Sequence, residues 1–104
     1  TCVVTFSGPM NIIPVGSDFY TVWMVKNTSG GDWSMTSVDY KFRSGTEMHQ
    51  KSVYDFTQTI NNGESGQIIV DMVAPSTPGN YSTTWAIVSG STTLCILNAT
   101  VTVK

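Results

Sequence analysis

Asp18-Phe19-Tyr20-Thr21-Val22-Trp23-Met24-Val25-Lys26-Asn27 decides the fold of this chain. Phe19, Thr21, Trp23 and Val25 alternate with Tyr20, Val22, Met24 and Lys26, a period of two that predicts a central strand with both faces largely apolar. The same period recurs on either side. Val38, Tyr40 and Phe42 alternate with Asp39, Lys41 and Arg43. Tyr54, Phe56, Gln58 and Ile60 alternate with Asp55, Thr57 and Thr59, and Ile68, Val70 and Met72 with Ile69 and Asp71. With Cys2 to Phe6, Tyr81 to Val88 and Leu94 to Val103 the count reaches seven strands. The joints carry turn chemistry at Gly8-Pro9, Ser29-Gly30-Gly31, Ser44-Gly45, Asn61-Asn62-Gly63, Pro75 to Gly79 and Ser89-Gly90. No stretch shows a helical period. The expected class is an all-β, immunoglobulin-like sandwich of about seven antiparallel strands.

At 104 residues the chain is expected to make one domain over residues 1–104, with 1–17 as an N-terminal strand followed by a hinge-like segment from Ser7 to Ser17 that holds two prolines and two glycines. Charged residues make up only 12% of the sequence, so the surface is hydroxyl and amide rather than ionic. A net charge of -2 with five Lys and Arg gives no basic stripe and argues against nucleic acid. Apolar runs such as Ile68-Ile69-Val70 fall far short of the roughly 20 residues of a membrane-spanning helix. The chain opens at Thr1 without Met or a leader pattern, which reads as a mature or excised form. Extracellular or cell-surface residence is the expectation.

Cys2 and Cys95 are too few and too far apart for a zinc site. In an oxidising compartment they would pair, and a loop of roughly 90 residues would remove on the order of 4–5 kcal/mol of unfolded-state entropy. Two ordinary buried thiols are the alternative.

A family resemblance rests on Phe19-x-x-x-Trp23-x-Val25-x-Asn27-Thr28, then Trp33, then Asn62-Gly63-Glu64-Ser65, then Ile68-x-Val70-x-Met72-x-Ala74-Pro75-x-x-Pro78-Gly79-x-Tyr81-x-x-x-Trp85-x-Ile87. The chain resembles the four-tryptophan Ig-like domain of the next-to-BRCA-one autophagy cargo receptor, a module also found in bacterial exported proteins. Trp23, Trp33 and Trp85 have counterparts there. The fourth tryptophan is missing between Leu94 and Lys104, and Gly66 replaces a customary apolar residue, so irregular pairing is expected where that strand begins. The resemblance implies a sandwich that binds other proteins or acts as a spacer, and no enzyme.

Read from phase alone, Trp23 and Trp85 are core aromatics. Tyr81, after Pro78-Gly79, is placed to tie a corner through its hydroxyl. Trp33 follows Ser29-Gly30-Gly31-Asp32 and is a candidate for partner contact, with a packed loop lid as the alternative. Catalysis finds no support: His49 sits in a polar loop, no Ser lies in a Gly-x-Ser-x-Gly context, and Asp18, Asp32, Asp39, Glu47, Asp55, Glu64 and Asp71 fall on solvent-facing phases or in turns. Asp18 and Asp32 match no calcium loop. No cofactor or metal is expected. Sequons at Asn27, Asn80 and Asn98 are glycosylation candidates.

Two function classes remain. One is a protein-interaction or structural module, partnered by other proteins or by copies of itself, with a filament subunit built by exchange of the first strand as its self-assembling form. The other is a carbohydrate-binding module stacking sugars on Trp33, Tyr54 or Tyr20. Inward-pointing aromatics favour the first.

Overall fold

The computed structural model describes residues 2–104. Seven strands follow in order: β1 (Cys2–Gly8), β2 (Asp18–Asn27), β3 (Asp39–Gly45), β4 (Val53–Asp55), β5 (Ser65–Val73), β6 (Gly79–Ser89) and β7 (Thr92–Val103). They form two antiparallel sheets, β1-β2-β5 and β4-β3-β6-β7, packed face to face. Alternation dictates what lies between them. From β2 come Thr21, Trp23 and Val25, from β5 Ile68, Val70 and Met72, from β6 Trp85 and Ile87, and from β7 Cys95, Leu97, Ala99, Val101 and Val103.

Trp23 and Trp85 are completely buried, and the indole N–H of each has an acceptor. Trp23 Nε1–H reaches across the sandwich to the Asn98 carbonyl at 2.9 Å, whereas Trp85 Nε1–H donates to Thr83 Oγ1 at 3.2 Å. The Tyr81 hydroxyl donates to the Thr77 carbonyl at 2.6 Å, pinning the chain as it rises into β6.

By alternation alone Cys2, Val4 and Phe6 share one inward phase and the first strand neighbours the last across one edge; the structure corrects both. Cys2, Val4 and Phe6 do not share one face, because a bulge between Val4 and Phe6 shifts the phase. Cys2 and Val4 stand opposite the inward Asn27 and Val25, while Phe6 stands beside Met24 on the outside. Nor is β1 a neighbour of β7 within a sheet; it pairs with β2, and Cys2 meets Cys95 across the sandwich in a disulfide with Cα atoms 5.7 Å apart. The run from Tyr54 to Ile60 pairs only through Asp55, then passes irregularly to a single bridge between Ile60 and Trp33. The segment after β1 is no free hinge. Ile13 pairs in parallel with Val103, Val15 N–H donates to the Lys104 carbonyl, and Gly16 N–H to the Pro75 carbonyl, so the crossing between sheets is tied down.

Glycine explains two tight places. The β2–β5 register runs unbroken through Gly66, so no irregularity accompanies it. A Cβ there would sit 2.6 Å from Ile60 Cδ1, because the Ile60 side chain occupies the space an apolar residue would need. At Gly45, φ is +95° and a Cβ would stand 2.5 Å from the Ser82 carbonyl oxygen, which accepts the Thr46 N–H. Gly45→Ala is expected to lower the urea-unfolding free energy by about 2 kcal/mol or more, since backbone strain and a backbone clash add. Gly63→Ala, at φ +86° with open space around it, isolates the strain alone and should cost about 1 kcal/mol. Equal losses for the two variants would mean that the Ser82 contact relaxes freely.

Candidate functional site

Two surfaces stand out, and neither contains Trp33, the partner-contact candidate, or Asn27, the first glycan candidate. Trp33 is only 2% exposed: its N–H and C=O both pair with Ile60, and the ring closes one end of the core. It is therefore the packed lid rather than a contact residue. Asn27, read as a glycan acceptor, is completely buried. Its Nδ2 donates to the carbonyls of Gly31 and Ile60 at 2.8 and 2.9 Å, and its Oδ1 accepts from Ser29 N–H and Oγ–H at 3.0 and 2.7 Å. All four amide hydrogen-bonding positions are engaged in joining two loops, so no sugar can be attached there without unfolding them. Asn80 and Asn98 are exposed, their side chains accepting from Thr102 and Thr84 hydroxyls. Asp32 Oδ1 takes the Asn62 N–H at 2.8 Å, a loop tie. His49 is wedged between Phe42 and Trp85, ring centroids 4.5 and 5.1 Å away, and serves as packing.

The first surface is a cleft of about 270 Å³ between the two sheets, where β4 and the chain after it face the open edge of β5. Tyr40, Tyr54, Phe56 and Ile68 line it, with Gln67 and Asp71 at its mouth. The Tyr40 and Tyr54 rings stack at 5.3 Å, nearly parallel, and the Tyr40 hydroxyl donates to the Ile69 carbonyl at 2.8 Å. Burial pushes the Tyr40 hydroxyl up to about 12, helped by the charges of Tyr54 and Asp71. Burial likewise raises Tyr54, partly offset by the Lys51 backbone N–H. Asp39, opposite Asp55 in the β3–β4 pair, is raised by burial first and by Asp55 second. The rings spend their faces on each other, with Lys51 Nζ 5.2 Å above the Tyr54 ring. An open stacking platform for sugars is thus not built here, and Tyr20 lies on the other sheet.

The second surface is the outer face of β1-β2-β5. A sheet covered by solvent on one side ordinarily shows polar residues there. Here Phe6 of β1, Tyr20, Val22 and Met24 of β2, and Ile69 of β5 form a contiguous apolar field, with Phe6 44%, Tyr20 59% and Ile69 42% exposed. Lys26 stands at one end and Asp18 at the other, with Asp71 beside Tyr20 on the Asp18 side. Beside Tyr20 a hollow of about 480 Å³ opens where the chain leaves β1, bounded by Phe6, Gly8, Pro9, Met10 and Val22. The sequence shows the apolar character of both β2 faces but not which of them stays exposed.

Two packed antiparallel sheets, a tyrosine-tied corner and inter-sheet tryptophans define an immunoglobulin-like sandwich. The sequence matches the Ig-like domain from next to BRCA1 gene over residues 8–102, and the chain belongs to that family. Its fold is similar to that of the CARDB domain of a Pyrococcus furiosus protein solved in solution, with a TM-score of 0.62, 14% identity, and coverage of 93% of this chain and 89% of that one. No curated protein matches the sequence.

Proposed function

We propose that the chain is a non-catalytic, extracellular or cell-surface module for protein–protein contact or structural assembly, and that its contact surface is the outer face of β1-β2-β5. The observation that carries this reading is the apolar field from Phe6 through Val22 to Ile69, since large exposed apolar patches rimmed by charge mark interaction sites in soluble domains. A Cys2–Cys95 disulfide and a hydroxyl-rich, weakly charged surface suit an oxidising exterior. Assembly by exchange of β1 has less support than assembly through this face, because β1 is bonded to its own β2 and its cysteine closes within the chain.

A photo-crosslinking residue at Tyr20 tests the reading against the same residue at Ser82, which is exposed on the other sheet. The expected result is a discrete protein adduct from Tyr20 on the producing cells and none from Ser82. Equal or absent labelling at the two positions would remove the face as the contact surface.

A further inference from the structure

The charge pattern of the outer face names an occupant for it. Resting on the reading that this face is a contact surface, we infer that it binds the same face of a second copy, antiparallel, about a two-fold axis that passes over Val22.

The outward residues of β2 are Asp18, Tyr20, Val22, Met24 and Lys26, with Val22 at the middle. Two identical sheet faces can meet with two-fold symmetry in two ways. An axis along the strands lays β2 parallel on β2 and sets Asp18 against Asp18 and Lys26 against Lys26 of the second copy. An axis across the strands reverses one copy, so each Asp18 meets Lys26 of the second copy. Lys26 and Asp18 each lie about 13 Å from Val22 at roughly 3.3 Å per residue, so the reversal maps one onto the other. Repulsion at both ends in the first arrangement and attraction at both ends in the second choose the antiparallel one.

The remaining rows agree with that choice. Val22 stands beside Ile69 in register, so both fall at the axis and meet themselves. Tyr20, beside Asp71, meets the row of Met24 and Gln67, giving the Asp71 carboxylate an amide donor from Gln67 of the second copy. Phe6 stands beside Met24 and Gly8 beside Val22. Reversal about the axis therefore carries Phe6 from the Met24 row to the Tyr20 row, beside the hollow that Gly8, Pro9, Met10, Tyr20 and the facing copy's own Phe6 enclose.

Affinity will be modest. Three strands about 4.8 Å apart and nine residues long present on the order of 400 Å² per copy, below the roughly 800 Å² of a standard interface, so dissociation in the tens to hundreds of micromolar is expected.

Sedimentation equilibrium from about 10 µM to 1 mM, at low and high salt, tests this with charge exchange. Lys26→Asp turns both end contacts into like-charge pairs and should weaken the dimer roughly tenfold or more, as should Asp18→Lys. The double variant Asp18→Lys/Lys26→Asp restores opposite pairs and should return to within about threefold of the parent. Both sites are exposed, and unchanged melting temperatures confirm that folding is untouched. A parent that stays monomeric to 1 mM, single variants that associate as the parent does, or a double variant as weak as the singles would each overturn the inference. A specific Tyr20 adduct with another protein alongside a monomeric parent would leave the contact-surface reading standing and remove only the second copy as its occupant.

Discussion

Trp23→Ala is expected to destabilise the domain by about 3–5 kcal/mol and to lower its melting temperature by roughly 15 °C or more. The side chain has no exposed surface and lies in the middle row of β2, between Ser7 of β1 and Ile68 of β5 in register. Its removal therefore opens a cavity at the centre of one sheet and severs the bond to the Asn98 carbonyl that joins β2 to β7. Trp85→Ala should cost a similar amount by a different route. Its ring is the hub of an aromatic cluster, with Tyr40, Phe42, His49 and Tyr54 at centroid distances of 6.3, 6.0, 5.1 and 5.9 Å. Trp23→Phe separates the two contributions at the first site: the apolar volume largely remains while the N–H donor is lost, for about 1–2 kcal/mol. Against a total of about 5–15 kcal/mol for a domain, either alanine variant removes a large share. A Trp23→Ala protein whose urea midpoint stays near the parent's would contradict the burial of that ring.

How much of this was readable in the residues depends on what alternation records. It reports which side of the chain faces the core. It does not report whether the backbone is paired, which is why Phe56 and Ile60 kept a strand-like phase and are buried although regular pairing stops at Asp55. A bulge erases the phase without a residue-type signature: one extra residue between Val4 and Phe6 turned the phenylalanine outward, and the sequence of β1 looks the same with or without it. Asn27 shows the converse. Its sequon matches a glycosylation pattern, but its role is fixed by the carbonyls of Gly31 and Ile60, and Ile60 is 33 residues distant. Trp33 was legible as a loop residue from the glycines before it, either contact or packed lid, and the bridge to Ile60 that decides for the lid was not. The outer-face signal was present throughout. Tyr20, Val22 and Met24 made β2 apolar on both sides, which fits a strand buried on both faces or one whose second face is kept for a partner. Only Phe6 and Ile69 beside it, with Lys26 and Asp18 at the ends, separate those two cases.

Reduction of Cys2–Cys95 is expected to cost about 4–5 kcal/mol by the loop-entropy argument, because the bridge closes residues 93 apart in sequence. The loss should not be uniform. Between Val3 and Ser7 every residue of β1 is exposed, so this strand brings little buried apolar surface of its own and is held by its ladder to β2 and by the disulfide. Hydrogen exchange in the Cys2→Ser/Cys95→Ser variant should therefore rise first at residues 3–8, with β6 and β7 still protected up to the global transition. A fall in global stability without selective exchange in β1 would mean that the ladder alone secures that strand and that the bridge acts only on the unfolded chain. Electrophoresis decides where the sulfurs go. A bridge closed within the sandwich gives one monomer band with or without reductant, and mass spectrometry of that band yields the Cys2–Cys95 peptide. A ladder that collapses on reduction would place Cys2 of one molecule on Cys95 of the next, and would return β1 to the role of an exchanged strand.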